Sequence, residues 1–129
     1  MKPLKVGQAL ICEYVAEGAR GKHTLINVYT GDIRIKQMPA TFPIGIFVEI
    51  IPQPDQPSEF EIEVLIDEKL HGKLVGEFGE FELGKSALVA VPQLPITVKE
   101  NSTVKIVATC PGFKRTTAIE KKITFDPNL

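Results

Sequence analysis

The stretch Phe60-Glu61-Ile62-Glu63-Val64-Leu65-Ile66-Asp67 decides the fold. Phe60, Ile62, Val64 and Ile66 stand at every second position, with Glu61, Glu63 and Asp67 between them. Successive side chains on a pleated strand point to opposite faces, so this spacing predicts a strand with one dry face and one wet one. Val104-Lys105-Ile106-Val107-Ala108-Thr109-Cys110 repeats the pattern. Ile119, Ile123 and Phe125 carry it through a final strand over 116–125, where Lys121 alone breaks the phase. An edge or bulged position is expected for that lysine.

The same reading extends outward. Gln8–Ala16 predicts a first strand with Leu10, Cys12 and Tyr14 on one face, closed by a turn at Glu17–Lys22. Thr24–Tyr29 predicts a second, Thr30-Gly31-Asp32 a turn, and Ile33/Ile35 a resumption. Pro39 and Pro43 argue against a central strand over 37–43, because proline lacks a ladder donor; a crossover between sheets is expected there. Ile44–Ile51 is a nearly continuous apolar run, as in a fully buried strand. Pro52–Pro57 reads as a stiff loop and Glu68–Lys73 as a further loop. Leu74–Leu83, with Gly76 and Gly79, predicts a bulged or edge strand. Ala87–Val91 is a further strand, Pro92-Gln93-Leu94-Pro95 a corner, and Ile96–Val98 an extension or cap.

No segment of ten residues carries helical periodicity, and the chain shows no internal repeat or linker. Seven to nine mostly antiparallel strands with turns every ~8–12 residues predict an all-β domain of two packed sheets, with a closed barrel as the alternative. At 129 residues the chain is read as one domain, 1–129. Trp is absent, so the core must be built from Ile, Val and Leu, which suit pleated surfaces.

Fifteen basic and sixteen acidic residues leave a net charge of −1, which argues against nucleic acid as the main partner. Lys2/Lys5, Lys114-Arg115 and Lys121-Lys122 read as solvated strand ends. No run approaches the ~20 apolar residues of a membrane helix. The run Ala9-Leu10-Ile11-Cys12 is cut short of a signal peptide by Gly7-Gln8 and Glu13, so a cytoplasmic location is expected. Cys12 and Cys110 are then expected as reduced, buried thiols, although facing strands would permit a bridge.

Catalytic constellations are not legible. A nucleophile needs an adjacent base and a group to orient it. His23 and His71 both fall in turn-like segments, and Ser58, Ser86 and Ser102 lie in loops outside any G-x-S-x-G elbow. His71 with Asp67 and Glu68 lacks a fourth ligand, and no C-x-x-C, H-x-H or HExxH occurs. Asp32, Asp55, Asp67, Glu68 and Asp126 sit at strand ends without calcium-loop spacing. Glu61/Glu63 and Glu77/Glu80/Glu82 mark solvent faces more simply than a glycosidase pair. Gly76-Glu77-Phe78-Gly79 lacks the helix that a phosphate loop needs. The expectation is therefore no enzyme, no cofactor and no metal.

Three segments taken together carry a resemblance: Ala9-Leu10-Ile11-Cys12-Glu13-Tyr14-Val15, Gly21-Lys22-His23-Thr24-Leu25-Ile26-Asn27-Val28-Tyr29 and Pro39-Ala40-Thr41-Phe42-Pro43. Their order resembles an uncharacterised family of short bacterial and phage proteins, a domain of unknown function. The likeness is clearest over residues 8–50, with a late hairpin like Thr103–Phe125 as the main match beyond. It implies a two-sheet immunoglobulin-like β-sandwich and supplies no catalytic residue. The expected function is a non-enzymatic protein-interaction or structural module that binds another protein, or a second copy of itself, through an edge strand such as Gly76–Leu83. The alternative is small-ligand or carbohydrate binding, with Tyr14 and Tyr29 as its candidate aromatics.

Overall fold

Alternation along the chain becomes two stacked layers in the computed structural model of the protein, which describes residues 1–77 and 86–129. Their strands are β1 (Lys5–Glu17), β2 (His23–Val28), β3 (Ile33–Ile35), β4 (Ala40–Ile51), β5 (Glu59–Ile66), β6 (Lys69–Glu77), β7 (Ala87–Val98), β8 (Ser102–Thr109) and β9 (Thr116–Phe125). One sheet has the order β2-β1-β4-β7 and the other β3-β9-β8-β5-β6. Among the described residues all ladders are antiparallel except β3–β9, which is parallel. The two sheets share one hydrophobic core, as in a two-sheet β-sandwich. The fold is all-β, as the alternation predicts.

The core is the inner faces of both sheets. Ile62, Val64, Val104, Ile106 and Ile123 come from one layer, and Ile11, Ile44, Ile46, Val48, Ile50 and Ile96 from the other. Cross-strand pairs Ile62↔Ala108, Val64↔Ile106 and Ile66↔Val104 keep the alternating residues in phase across β5 and β8. Each fully buried aliphatic side chain contributes roughly 1.5–3 kcal/mol of transfer free energy. On the opposite face of β5 and β8, Leu65 and Val107 are also buried, outside the main core. Around them lie the ion pairs Arg115–Glu63 (3.2 Å), Lys73–Glu61 (3.3 Å) and Lys105–Glu68. Long charged side chains can cover apolar surface with their stems while the heads stay wet.

Several sequence-based expectations are corrected. Pro43 lies within β4, an internal strand, and pairs directly with Pro95 of β7. Neither proline can donate, so this pair occupies a ladder position where both nitrogens point away from the partner strand. On the far side of β4 the ladder to β1 stops at Cys12↔Gly45, so no bond is lost there. The 92–95 corner is likewise part of a continuous β7. One extra β7 residue is taken up as a bulge between Ile44↔Leu94 and Ile46↔Val91.

The segment read as a loop at 68–73 belongs mostly to β6. Its hairpin with β5 closes on two residues, Asp67 (φ 49°) and Glu68 (φ 67°), both left-handed, as tight hairpin turns require. Asp67 fixes the turn onto β8: its Oδ1 accepts from Thr103 N (2.9 Å) and its own N–H donates to Thr103 O (2.9 Å). Asp67→Ala is expected to cost about 1 kcal/mol, the net worth of one such hydrogen bond. Asp67→Asn, which keeps the acceptor, should lose little. Urea midpoints of the two variants check this. Of the strand expected over Leu74–Leu83, residues through Glu77 fall in β6 and 78–83 lie outside the described residues.

Lys121 breaks phase in a stretch of β9 that β3 does not flank, since β3 pairs only with Ile123, Thr124 and Phe125. Its Nζ donates to Gly31 O (2.9 Å) across that opening.

Candidate functional site

β6 ends the five-stranded sheet at one side, and β7 ends the four-stranded sheet beside it. The two terminal strands are tied by His71 Nε2 and Pro95 O, 3.0 Å apart. His71 is the residue that β6 carries in excess where Val64↔Gly72 gives way to Leu65↔Leu70. The bulge turns its ring towards the neighbouring layer instead of along the ladder.

β6 exposes apolar side chains that an ordinary surface strand would make polar. Leu70 is 58% exposed, Val75 66% and Leu74 40%. Every terminal strand carries features that oppose pairing with another chain; in β6 these are Lys69, Lys73 and the bulge at His71. β7 carries Pro92 and Pro95; β3 is three residues long; β2 contains Asn27 in a left-handed conformation (φ 52°). β6 holds nine residues without proline.

Next to the C-terminal half of β6 lies a groove of about 820 Å³. Phe60, Val75 and Phe113 give it apolar walls, and Glu59 and Glu61 an acidic rim. Gly76 opens the floor: a Cβ there would stand 2.8 Å from Phe60 Cζ. Cys110 lines the groove with its thiol donating to the carbonyls of Glu59 (3.1 Å) and Pro57 (3.4 Å). Burial pushes the Cys110 thiol above its ordinary pKa, with the Glu59 carboxylate adding to the effect. A thiol held protonated is a poor nucleophile.

The structure disperses the candidate side chains. His23 packs edge-on against Phe47, with ring centroids 6.1 Å apart, and His71 meets a backbone carbonyl. Cys12 and Cys110 are both free thiols. Cys110 belongs to the main core, whereas Cys12 is fully buried outside it. Burial also raises the Cys12 pKa, and Glu13 adds to the shift while backbone hydrogen bonds from Tyr14 and Ile26 oppose it. Of the first strand's expected face, Cys12 is dry but Tyr14 is 40% exposed, and Ile11 on the opposite face fills the core instead. Tyr29 packs against the main core.

Glu61, Glu63, Glu68 and Asp126 are each paired with a cation, and Ser102 donates to Glu100 O. Among the described residues, no group of three or more His, Cys, Asp and Glu side chains is gathered as a metal site requires. No helix among them is long and apolar enough to cross a membrane. No family model matches the chain, and comparison with the curated proteins gives no match either.

The edge strand expected over 76–83 overlaps β6 at Gly76 and Glu77, and 78–83 lie outside the described residues. The signal that sequence reasoning missed is the pair Leu70 and Val75, apolar residues on the same face as Lys73 and Glu61. Exposure of that pair follows from β6 being terminal, a property of sheet order and not of local pattern.

Proposed function

We propose that this protein is a non-enzymatic interaction module that takes up an extended segment of another polypeptide along β6. One observation carries the reading: among the described residues β6 is the long, proline-free terminal strand, and Leu70, Leu74 and Val75 are exposed on it between Lys69, His71 and Lys73. An unpaired strand edge offers a row of backbone donors and acceptors, while apolar side chains beside it give the added strand something to bury. A cytoplasmic setting and kinship with short bacterial and phage proteins belong to the same proposal.

A second reading is favoured by the groove, whose volume lies within the ~300–1,000 Å³ of small-molecule sites and whose walls are apolar. There an apolar ligand would contact Val75 but not Leu70, which lies outside the groove.

Leu70→Lys and Val75→Lys separate the two. Both positions are exposed, so each variant should fold with a stability within about 0.5 kcal/mol of the parent. The immobilised parent and both variants are challenged with whole-cell lysate, and self-association of each is followed by sedimentation over a concentration range. Strand addition predicts association, with a captured protein or with a second copy, that both variants weaken at least tenfold. A groove ligand, detected by mass spectrometry of the eluate, is lost with Val75→Lys alone. A strictly monomeric protein whose captured set is the same for all three overturns the interaction reading.

A further inference from the structure

The first hairpin does not stay in its sheet. β1 pairs with β4 only as far as Cys12↔Gly45; Tyr14–Glu17 pair with β2 alone. Gly45 sits between the core residues Ile44 and Ile46, so its missing side chain points away from the core. In that direction a Cβ would meet Cys12 Sγ at 2.9 Å, Val15 N at 3.0 Å and Pro92 O at 3.1 Å. The backbone at Val15 therefore passes over the outer surface of β4 at Gly45. β1 and β7 touch there, although they are not ladder neighbours.

We infer that residues 13–28 form a strap that lies across the outer face of the four-stranded sheet and opens as a unit while the sandwich stays folded. Three features make this segment separable. Its ladder bonds are internal, between β1 and β2, and Asn27 Nδ2 donating to Glu13 Oε2 (3.0 Å) joins strap to strap. Its seat on the sheet centres on Val15, which is 2% exposed, with half-buried Leu25 beside it, the Cys12 thiol and the contact of His23 with Phe47. Neither Cys12 nor Val15 belongs to the main core, so lifting the strap leaves the Ile-rich interior closed. Cooperative units with fewer buried apolar contacts open at lower free energy than the globule as a whole. Opening uncovers the Cys12 thiol and Phe47.

Cys12 is fully buried beneath the strap and reports its opening. In a Cys110→Ala background, a thiol reagent is added at increasing urea below the unfolding transition. Opening exposes much less surface than global unfolding, so the urea slope of the labelling free energy should be less than about a third of the equilibrium m-value. His23→Ala removes the ring contact with Phe47 and should speed labelling roughly three- to tenfold. Hydrogen exchange supplies a second reading: amides of 14–17 and 24–28 should exchange together, well ahead of 104–108. Labelling with the full unfolding slope overturns the strap, as does exchange of the two sets at one common rate.

Discussion

Gly45→Ala is expected to destabilise the fold by about 2–3 kcal/mol, the range for forcing extra volume into a packed site. The new methyl meets Cys12 Sγ, Val15 N and Pro92 O, all within 3.1 Å of where it would stand. Two of these three are backbone atoms on different strands, so no rotamer change relieves the clash. Either β4 moves, which disturbs Ile44 and Ile46 in the core, or the hairpin rises from the sheet. A fall in Tm of roughly 10 °C is expected for a domain of this size. The two responses are distinguishable: a raised hairpin also makes the Cys12 thiol reactive under native conditions. A Tm within 2 °C of the parent would show that the close approach over Gly45 does not exist in solution.

Ile106→Ala should have the largest effect of any single truncation, about 4 kcal/mol, from the upper half of the range for buried isoleucine. Ile106 is fully buried and faces the core from β8, which is laddered on both sides, to Val64 and to Ile119. A strand held on both edges cannot slide inwards to fill the cavity. Domains of this kind are stable by only about 5–15 kcal/mol, so the loss should move the urea midpoint by a third or more of its value. Val107→Ala, one residue on but facing the outer surface between β5 and β9, is the matched control and should lose less than half as much. Equal losses at the two sites would mean that the inner and outer faces of β8 are not distinct.

Those two neighbours also show how much of the fold the chain declares locally. Val104, Ile106 and Ala108 read as an inner face because burial and sequence share a period of two. The same holds for Phe60, Ile62 and Val64, and from these strands the two-layer architecture follows. Where sequence misleads, a residue type has been judged by its average. Pro43 and Pro95 look like strand breakers, yet placed opposite one another they cost no ladder bond. Asp67 reads as the end of a strand and Glu68 as the start of a loop, yet both accept a left-handed backbone and close a two-residue turn. Cys12 reads as a core residue of β1 and is dry, but it is dry beneath a folded-over hairpin.

The candidate site was less legible for a related reason. That the chain has an edge strand near Gly76 follows from its glycines and its weak alternation. Which strands end the two sheets depends on the order β3-β9-β8-β5-β6, set by pairings between distant segments. Leu70 and Val75 become significant only once that order is known. His71 gives no local sign that its ring reaches Pro95 in the other layer.

The parallel ladder between β3 and β9 has a consequence for synthesis. Ile33, fully buried in the finished protein, and Ile35 pair with Ile123 and Phe125, each about ninety residues further along the chain. While the ribosome is still making residues 116–125, β3 has no partner to lie against. The nascent chain must therefore carry those two isoleucines uncovered until β9 has been made, and contacts of such long sequence separation also form slowly. Chaperone capture during elongation should centre on residues 33–35 and cease once β9 has left the exit tunnel.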